Sequence, residues 1–201
     1  MGRPRRHDER TRAALLAAAE EIVAEGGPAA LSVRAVAEGA GTTTRAVYSL
    51  FGSKDGLLVE ALAHEAFAFL VTEIDELAET DDPAADLIAI GVQVFRRLVL
   101  EHPALYRIAF QRVVPGLDAS PELVATRQEA WDQLIAKVER LGAVGLLGTK
   151  SPAEAAVEFI AMSEGLGNSE LRGAVLRLLP EGDEEDTWRN ALTTVVRGWG
   201  A

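Results

Sequence analysis

The stretch "LSVRAVAEGAGTTTRAVYSLF", Leu31 to Phe51, decides the fold. Ser32 is a good N-cap, because its side-chain oxygen accepts from an N–H that the first helical turn leaves unpaired. Val33, Val36 and Ala37 share one face of the helix that follows. Gly39 or Gly41 supplies the left-handed residue that ends it after about two turns. Beyond the Ala40-Gly41 break, Thr43 caps a further helix from Thr44 to about Leu50, with Ala46, Val47 and Leu50 turned inward. Two short helices joined by a tight glycine turn make a helix-turn-helix.

The second helix of such a unit presents polar side chains from its N-terminal end to base edges and phosphates, while its apolar residues hold it on the supporting helix. Thr43, Thr44 and Arg45 occupy that end, and Tyr48 lies one turn beyond Thr44 with its hydroxyl available to a phosphate oxygen. Lys54 begins the next helix, where an ammonium and backbone N–H groups approach the phosphate backbone together. Ser32 and Arg34 complete the set on the supporting helix. Singly, the threonines read as loop, Tyr48 as a half-buried aromatic and Lys54 as a solvated charge; in this order they read as a surface for double-stranded DNA. Phe51 is read as a core plug.

Working outward, Leu15, Ala19, Ile22 and Val23 recur at helical spacing and close on Gly26, Gly27 and Pro28, which gives a first helix. Net charge is −11 over 201 residues, but it is unevenly divided. Residues 1–54 hold 8 Lys/Arg against 6 Asp/Glu, and residues 55–201 hold 12 against 25. Five arginines fall in the first 12 residues, so the N-terminus reads as a basic arm, either a solvated tail or a contact for a polyanion. The chain has no cysteine, and no apolar run reaches the ~18 residues of a membrane span. A cytoplasmic, soluble protein without a membrane partner is expected.

The segment "LSVRAVAEGAGTTTRAVYSLFGSKDGLL" resembles the DNA-binding domain of the tetracycline-repressor (TetR) family of bacterial regulators. The matching features are Ala40-Gly41, the polar cap Thr43, Tyr48 to Phe51, and Ser53-Lys54 to Leu57. Arg45 stands where the family often has a small residue, and Thr42 where an apolar one is usual. The resemblance implies a repressor that binds a pseudo-palindromic operator as a homodimer and is released by a small-molecule inducer. It implies an N-terminal three-helix DNA-binding domain over residues 1–55 and a larger helical ligand-binding and dimerisation domain over 56–201. The alternative is a small-molecule-binding or interaction protein with a degenerate helix-turn-helix.

The rest of the chain reads as helix throughout, so the fold class is all-α. Leu58, Leu62, Ala66 and Phe69 mark a long connecting helix that ends before "TDDPAAD", and further helices are expected over 84–101, 103–112, 121–141, 152–177 and 186–199. Bulky or adaptable side chains line apolar cavities, which makes Phe95, Tyr106, Phe110, Trp131, Phe159 and Met162 the candidates for a ligand pocket. By the resemblance, the last two long helices pair into a dimer. Trp188, Leu192, Val195, Val196 and Trp199 form an apolar stripe on the terminal helix, and Gly165 permits close approach on the one before it. His7, His64 and His102 have no metal-ligand spacing, no nucleophile-base pair is legible, and "GAVGLLG" lacks the context of a phosphate loop. No enzyme activity, cofactor or metal is expected.

Overall fold

A computed structural model describes residues 4–52, 56–111, 119–173 and 184–200, and every regular element among them is helical. The order is α1 (Pro4–Gly26), α2 (Val33–Gly39), α3 (Thr44–Phe51), α4 (Gly56–Glu76), α5 (Pro83–Ala89), a π-helical turn (Ile90–Phe95), α6 (Arg96–Glu101), α7 (Pro103–Phe110), α8 (Pro121–Ala143), α9 (Pro152–Arg172) and α10 (Glu184–Trp199). The all-α reading holds. By packing, the chain divides into two compact units, Met1–Ala66 with His102–Ala125, and Phe67–Glu101 with Thr126–Ala201. The boundary expected at residue 55 does not coincide with this division, which falls after Ala66 and returns 102–125 to the first unit.

The first unit is built on α1. Leu15, Ala19 and Val23 are buried on one of its faces, and Val36 of α2, Val47 and Phe51 of α3, and Tyr106 of α7 are buried in the same unit. His102 Nδ1 lies 2.9 Å from a Glu20 carboxylate oxygen, tying the start of α7 to α1. The basic arm is not a separate tail: α1 already begins at Pro4. Arg12 ties α1 to α3 and α4. It sits one turn before Leu15 and Leu16 on the buried stripe, pairs with Glu65 at 3.0 Å and lies over the Phe51 ring at 5.9 Å.

The second unit packs α5, the π turn, α6, α9 and α10. A single helix over 84–101 was expected; instead the hydrogen-bond ladder widens by one residue between α5 and α6. Gly91 lies in that turn, and a side chain there would collide with Leu192 and Phe159, so the glycine lets α9 and α10 come close. Phe95 meets Trp188 with ring centroids 6.5 Å apart. Arg96 Nη2 donates to Glu170 at 2.7 Å, and Trp188 Nε1 donates to the other oxygen of the same carboxylate at 2.8 Å, locking α6, α9 and α10 together. Helix α9 starts on a capping box between Ser151 and Glu154 and stops at Arg172, because Gly173 at φ +63 turns its N–H back to the Ser169 and Glu170 carbonyls. It is therefore shorter than the 152–177 span expected, and residues 174–177 lie outside the described residues.

Candidate nucleic-acid interface

The turn between α2 and α3 is fixed by backbone geometry. The Thr42 N–H donates to the Ala37 carbonyl at 2.8 Å and the Gly41 N–H to Glu38 at 3.1 Å, with Gly41 at φ +62. These two bonds form the glycine-centred C-terminal cap that satisfies a helix's last carbonyls, and they aim the chain into α3. Of the two glycines proposed for the break, Gly41 takes the left-handed position. Gly39 serves instead as a small residue against α1, where an added Cβ would stand 3.2 Å from that of Ala18.

Helix α3 is divided along its length. Val47 and Phe51 are 1% and 2% exposed, while Tyr48, between them in sequence, is 49% exposed. Thr44 and Tyr48 are one turn apart on the outer face, as are Arg45 and Ser49, and all four are exposed. Thr43 Oγ1 accepts the Ala46 N–H at 3.2 Å, and Ser32 Oγ accepts the Ala35 N–H at the same distance. Each hydroxyl thus caps its helix through a lone pair and keeps its own proton to donate. Arg34 is exposed on α2. Lys54 lies outside the described residues.

The outer face of α3 therefore carries two hydroxyls, a phenol and a guanidinium, groups that suit phosphate oxygens and the acceptor edges of bases. Ser49 was missed in the sequence; its spacing of four from Arg45 was the available signal. Arg12 was counted with the arm and belongs to the core support of α3, as its register with Leu15, Leu16 and Ala19 indicates. Arg10 is exposed, Arg3 lies outside the described residues, and Arg5 and Arg6 fall within α1. Among the described residues no group of three or more His, Cys, Asp or Glu is placed to hold a metal, and no helix is long and apolar enough to cross a membrane.

The other expected residues fall as follows. Tyr106 and Phe110 stack in the first unit, centroids 5.4 Å apart, and Tyr106 is fully buried. Phe95 and Phe159 are buried in the second unit beside Trp188 and Gly91 respectively, while Trp131 and Met162 there are half-buried. Two clefts among the described residues, of about 230 and 350 Å³, are lined by none of these six. On α10, Trp188, Leu192, Val196 and Trp199 are already buried within the single chain, and Trp199 Nε1 donates to Glu158 at 2.7 Å. The reasoning that this stripe needs a second chain to cover it is thereby corrected: α5, the π turn and α9 cover it. Gly165 is exposed on α9 with open space around its Cα, and Val195 is half-buried on α10.

Residues 15–61 match the family described as bacterial regulatory proteins, tetR family, and residues 87–195 match the tetracyclin repressor-like C-terminal domain. The HTH-type transcriptional regulator Mb1846 of Mycobacterium bovis is 30% identical over 128 residues, 62% of this chain and 54% of that protein. The chain spans about half the length of that curated relative. In fold it is similar to a protein of unknown function from Rhodococcus sp. RHA1, at 24% identity and a TM-score of 0.77 over 95% of this chain and 96% of the other. It is also similar to the TetR family transcriptional regulator PfmR of Thermus thermophilus, at 22% identity and a TM-score of 0.68 over 91% and 97% of the two chains.

Proposed function

Because the chain belongs to the tetR family of bacterial regulatory proteins, we propose that this helix-turn-helix transcriptional regulator is a ligand-responsive repressor acting as a homodimer. Each protomer lays α3 in a major groove, and the two half-sites of a pseudo-palindromic operator lie about 34–36 Å apart. The observation that carries this reading is the division of α3: Thr44, Arg45 and Tyr48 outside, Val47 and Phe51 locked inside over Arg12. Arg45 reads a base edge; Ser32, Arg34, Thr43, Thr44, Tyr48 and Lys54 hold phosphates.

The second protomer docks on the outer faces of α9 and α10. There Val157 is 56% exposed, Gly165 and Gly198 leave open space beside the backbone, and Val195 is half-buried. Small residues at such a seam let helices approach closely. A small-molecule inducer that binds the unliganded arrangement and the operator-bound one with different affinity shifts the balance toward release.

The test is a binding titration with duplex DNA flanking the protein's own gene, followed by a reporter driven from that DNA. Saturable binding that discriminates against a scrambled duplex, together with reporter activity that rises when the protein is deleted, is the expected result. Discriminating binding with reporter activity that falls on deletion would make the protein an activator instead.

A further inference from the structure

The outer face of α3 is selective in what it leaves out. Residues 1–66 contain no Asn or Gln, and between Ser32 and Gly52 the single carboxylate is Glu38, on α2. Each base shows the major groove its own order of donors and acceptors. Adenine, with an acceptor beside a donor, is matched by the amide of Asn or Gln, and the donor of cytosine by a carboxylate. Helix α3 carries neither group. Guanine presents two acceptors, N7 and O6, and needs two donors held side by side.

Arg45 supplies that pair of donors. It is the second residue of α3, at the end whose side chains reach base edges, and it is exposed. Its guanidinium makes no ion pair or hydrogen bond with another of the described residues, so the planar fork is free to meet a base. Arg12 is committed elsewhere, to Glu65 and the Phe51 ring. Arg34 is the second residue of α2, the helix that crosses the phosphate backbone. Thr44, Tyr48 and Ser49, the other exposed side chains on this side of α3, carry one hydroxyl each, which both donates and accepts and so fits several bases. Buried Val47 and Phe51 pin the opposite face, so α3 presents the same side chains at each encounter.

We propose that the operator carries one fixed guanine in each half-site, read by Arg45 through N7 and O6 together. By the two-fold symmetry of a homodimer the two guanines lie on opposite strands, one helical turn or a multiple of it apart. The assignment rests on the regulator reading above and adds to it the base that α3 selects.

Selection of bound duplexes from a randomised pool by the full chain, followed by competition binding with base analogues placed in the recovered duplex, tests it. One G·C pair per half-site is fixed, in one orientation. Adenine in place of that guanine weakens binding about five- to 150-fold, the worth of a good bidentate pair. A deazaguanine with carbon in place of N7 also weakens binding, whereas hypoxanthine, which keeps N7 and O6 and loses the minor-groove amino group, binds as guanine does. Arg45→Ala keeps the melting temperature, since the side chain is exposed, and binds the guanine and deazaguanine duplexes equally. Arg34→Ala weakens binding to both by the same factor and keeps the deazaguanine penalty. Four outcomes would overturn the guanine assignment and leave the regulator reading standing: enriched half-sites without a fixed guanine, no loss with deazaguanine, an equal loss with hypoxanthine, or a penalty that persists in Arg45→Ala. A pool in which no sequence is enriched would overturn the regulator reading itself, and the assignment with it.

Discussion

Tyr48 holds a large aromatic side chain in solvent between two residues that are almost wholly buried, and a helix of eight residues has few other ways to divide its faces. On the proposed reading, that exposed aromatic meets the phosphate backbone with its hydroxyl, beside Arg45 and Thr44. Arg45→Ala leaves the fold untouched because the side chain is exposed, and operator affinity falls by about 1–3 kcal/mol with relaxed preference at one position per half-site. Binding to a panel of operators changed one base at a time checks this; an unchanged base preference would reassign Arg45 to the phosphates. Thr43→Ala acts differently, since it removes the cap bond to Ala46 and lowers stability by about 1 kcal/mol, read as a fall in melting temperature. Much at this scale was legible in the sequence, because caps, the Gly41 turn and an apolar spacing of four are local. Arg12 was not: its partners Phe51 and Glu65 are distant in sequence, and an arginine among other arginines looks like part of a basic tail.

Between helices, the α4–α5 connection is held by Asp86. Its carboxylate accepts from the Thr80 N–H at 2.9 Å, the Thr80 hydroxyl at 2.7 Å and Arg140 Nη1 of α8 at 2.6 Å. Burial pushes the Asp86 carboxyl upward, but the hydrogen bonds from Thr80 and Arg140 outweigh it and hold the carboxyl below its ordinary value. A carboxyl lowered in the folded state contributes stability above its unfolded pKa of about 3.9, and that stability is lost as pH falls through the lower folded value. Asp86→Asn therefore destabilises at neutral pH by about 1–3 kcal/mol, and thermal melts of the two proteins converge as the solution is acidified below the ordinary aspartate range. A gap that stays constant to low pH would remove the carboxylate from the account. Helix existence at this scale followed from prolines, glycines and periodicity. The π turn did not, since Gly91 reads as an ordinary helical glycine until Leu192 and Phe159 are seen beside it. The stripe on α10 misled for a related reason: periodicity shows that a face is buried, not which chain buries it. Leu192→Asp places a charge in a fully buried site and unfolds the second unit, whereas a pure interface residue would leave a folded monomer.

For the whole molecule the sequence carried the charge division, +2 over residues 1–54 against −13 over residues 55–201, so the stretch that includes α3 is the one whose net charge favours a polyanion. It did not carry the faces of α9 and α10 that remain outside one chain. Val157→Asp distinguishes these from the buried stripe: the side chain is 56% exposed, so the protein stays folded, while a dimer seamed on α9 splits to monomers in sedimentation at micromolar concentration. A folded dimer in that variant would move the interface elsewhere. The central claim, that α3 reads operator DNA in pairs, is tested most directly by a stoichiometric titration of wild type and Arg45→Ala onto a labelled duplex from the flanking region of the gene, repeated across salt concentrations. The account predicts two protomers per duplex, affinity that falls steeply with salt, discrimination against a scrambled duplex, and loss of that discrimination in Arg45→Ala. Equal affinity of the wild type for the flanking and scrambled duplexes, at every salt concentration, would contradict it.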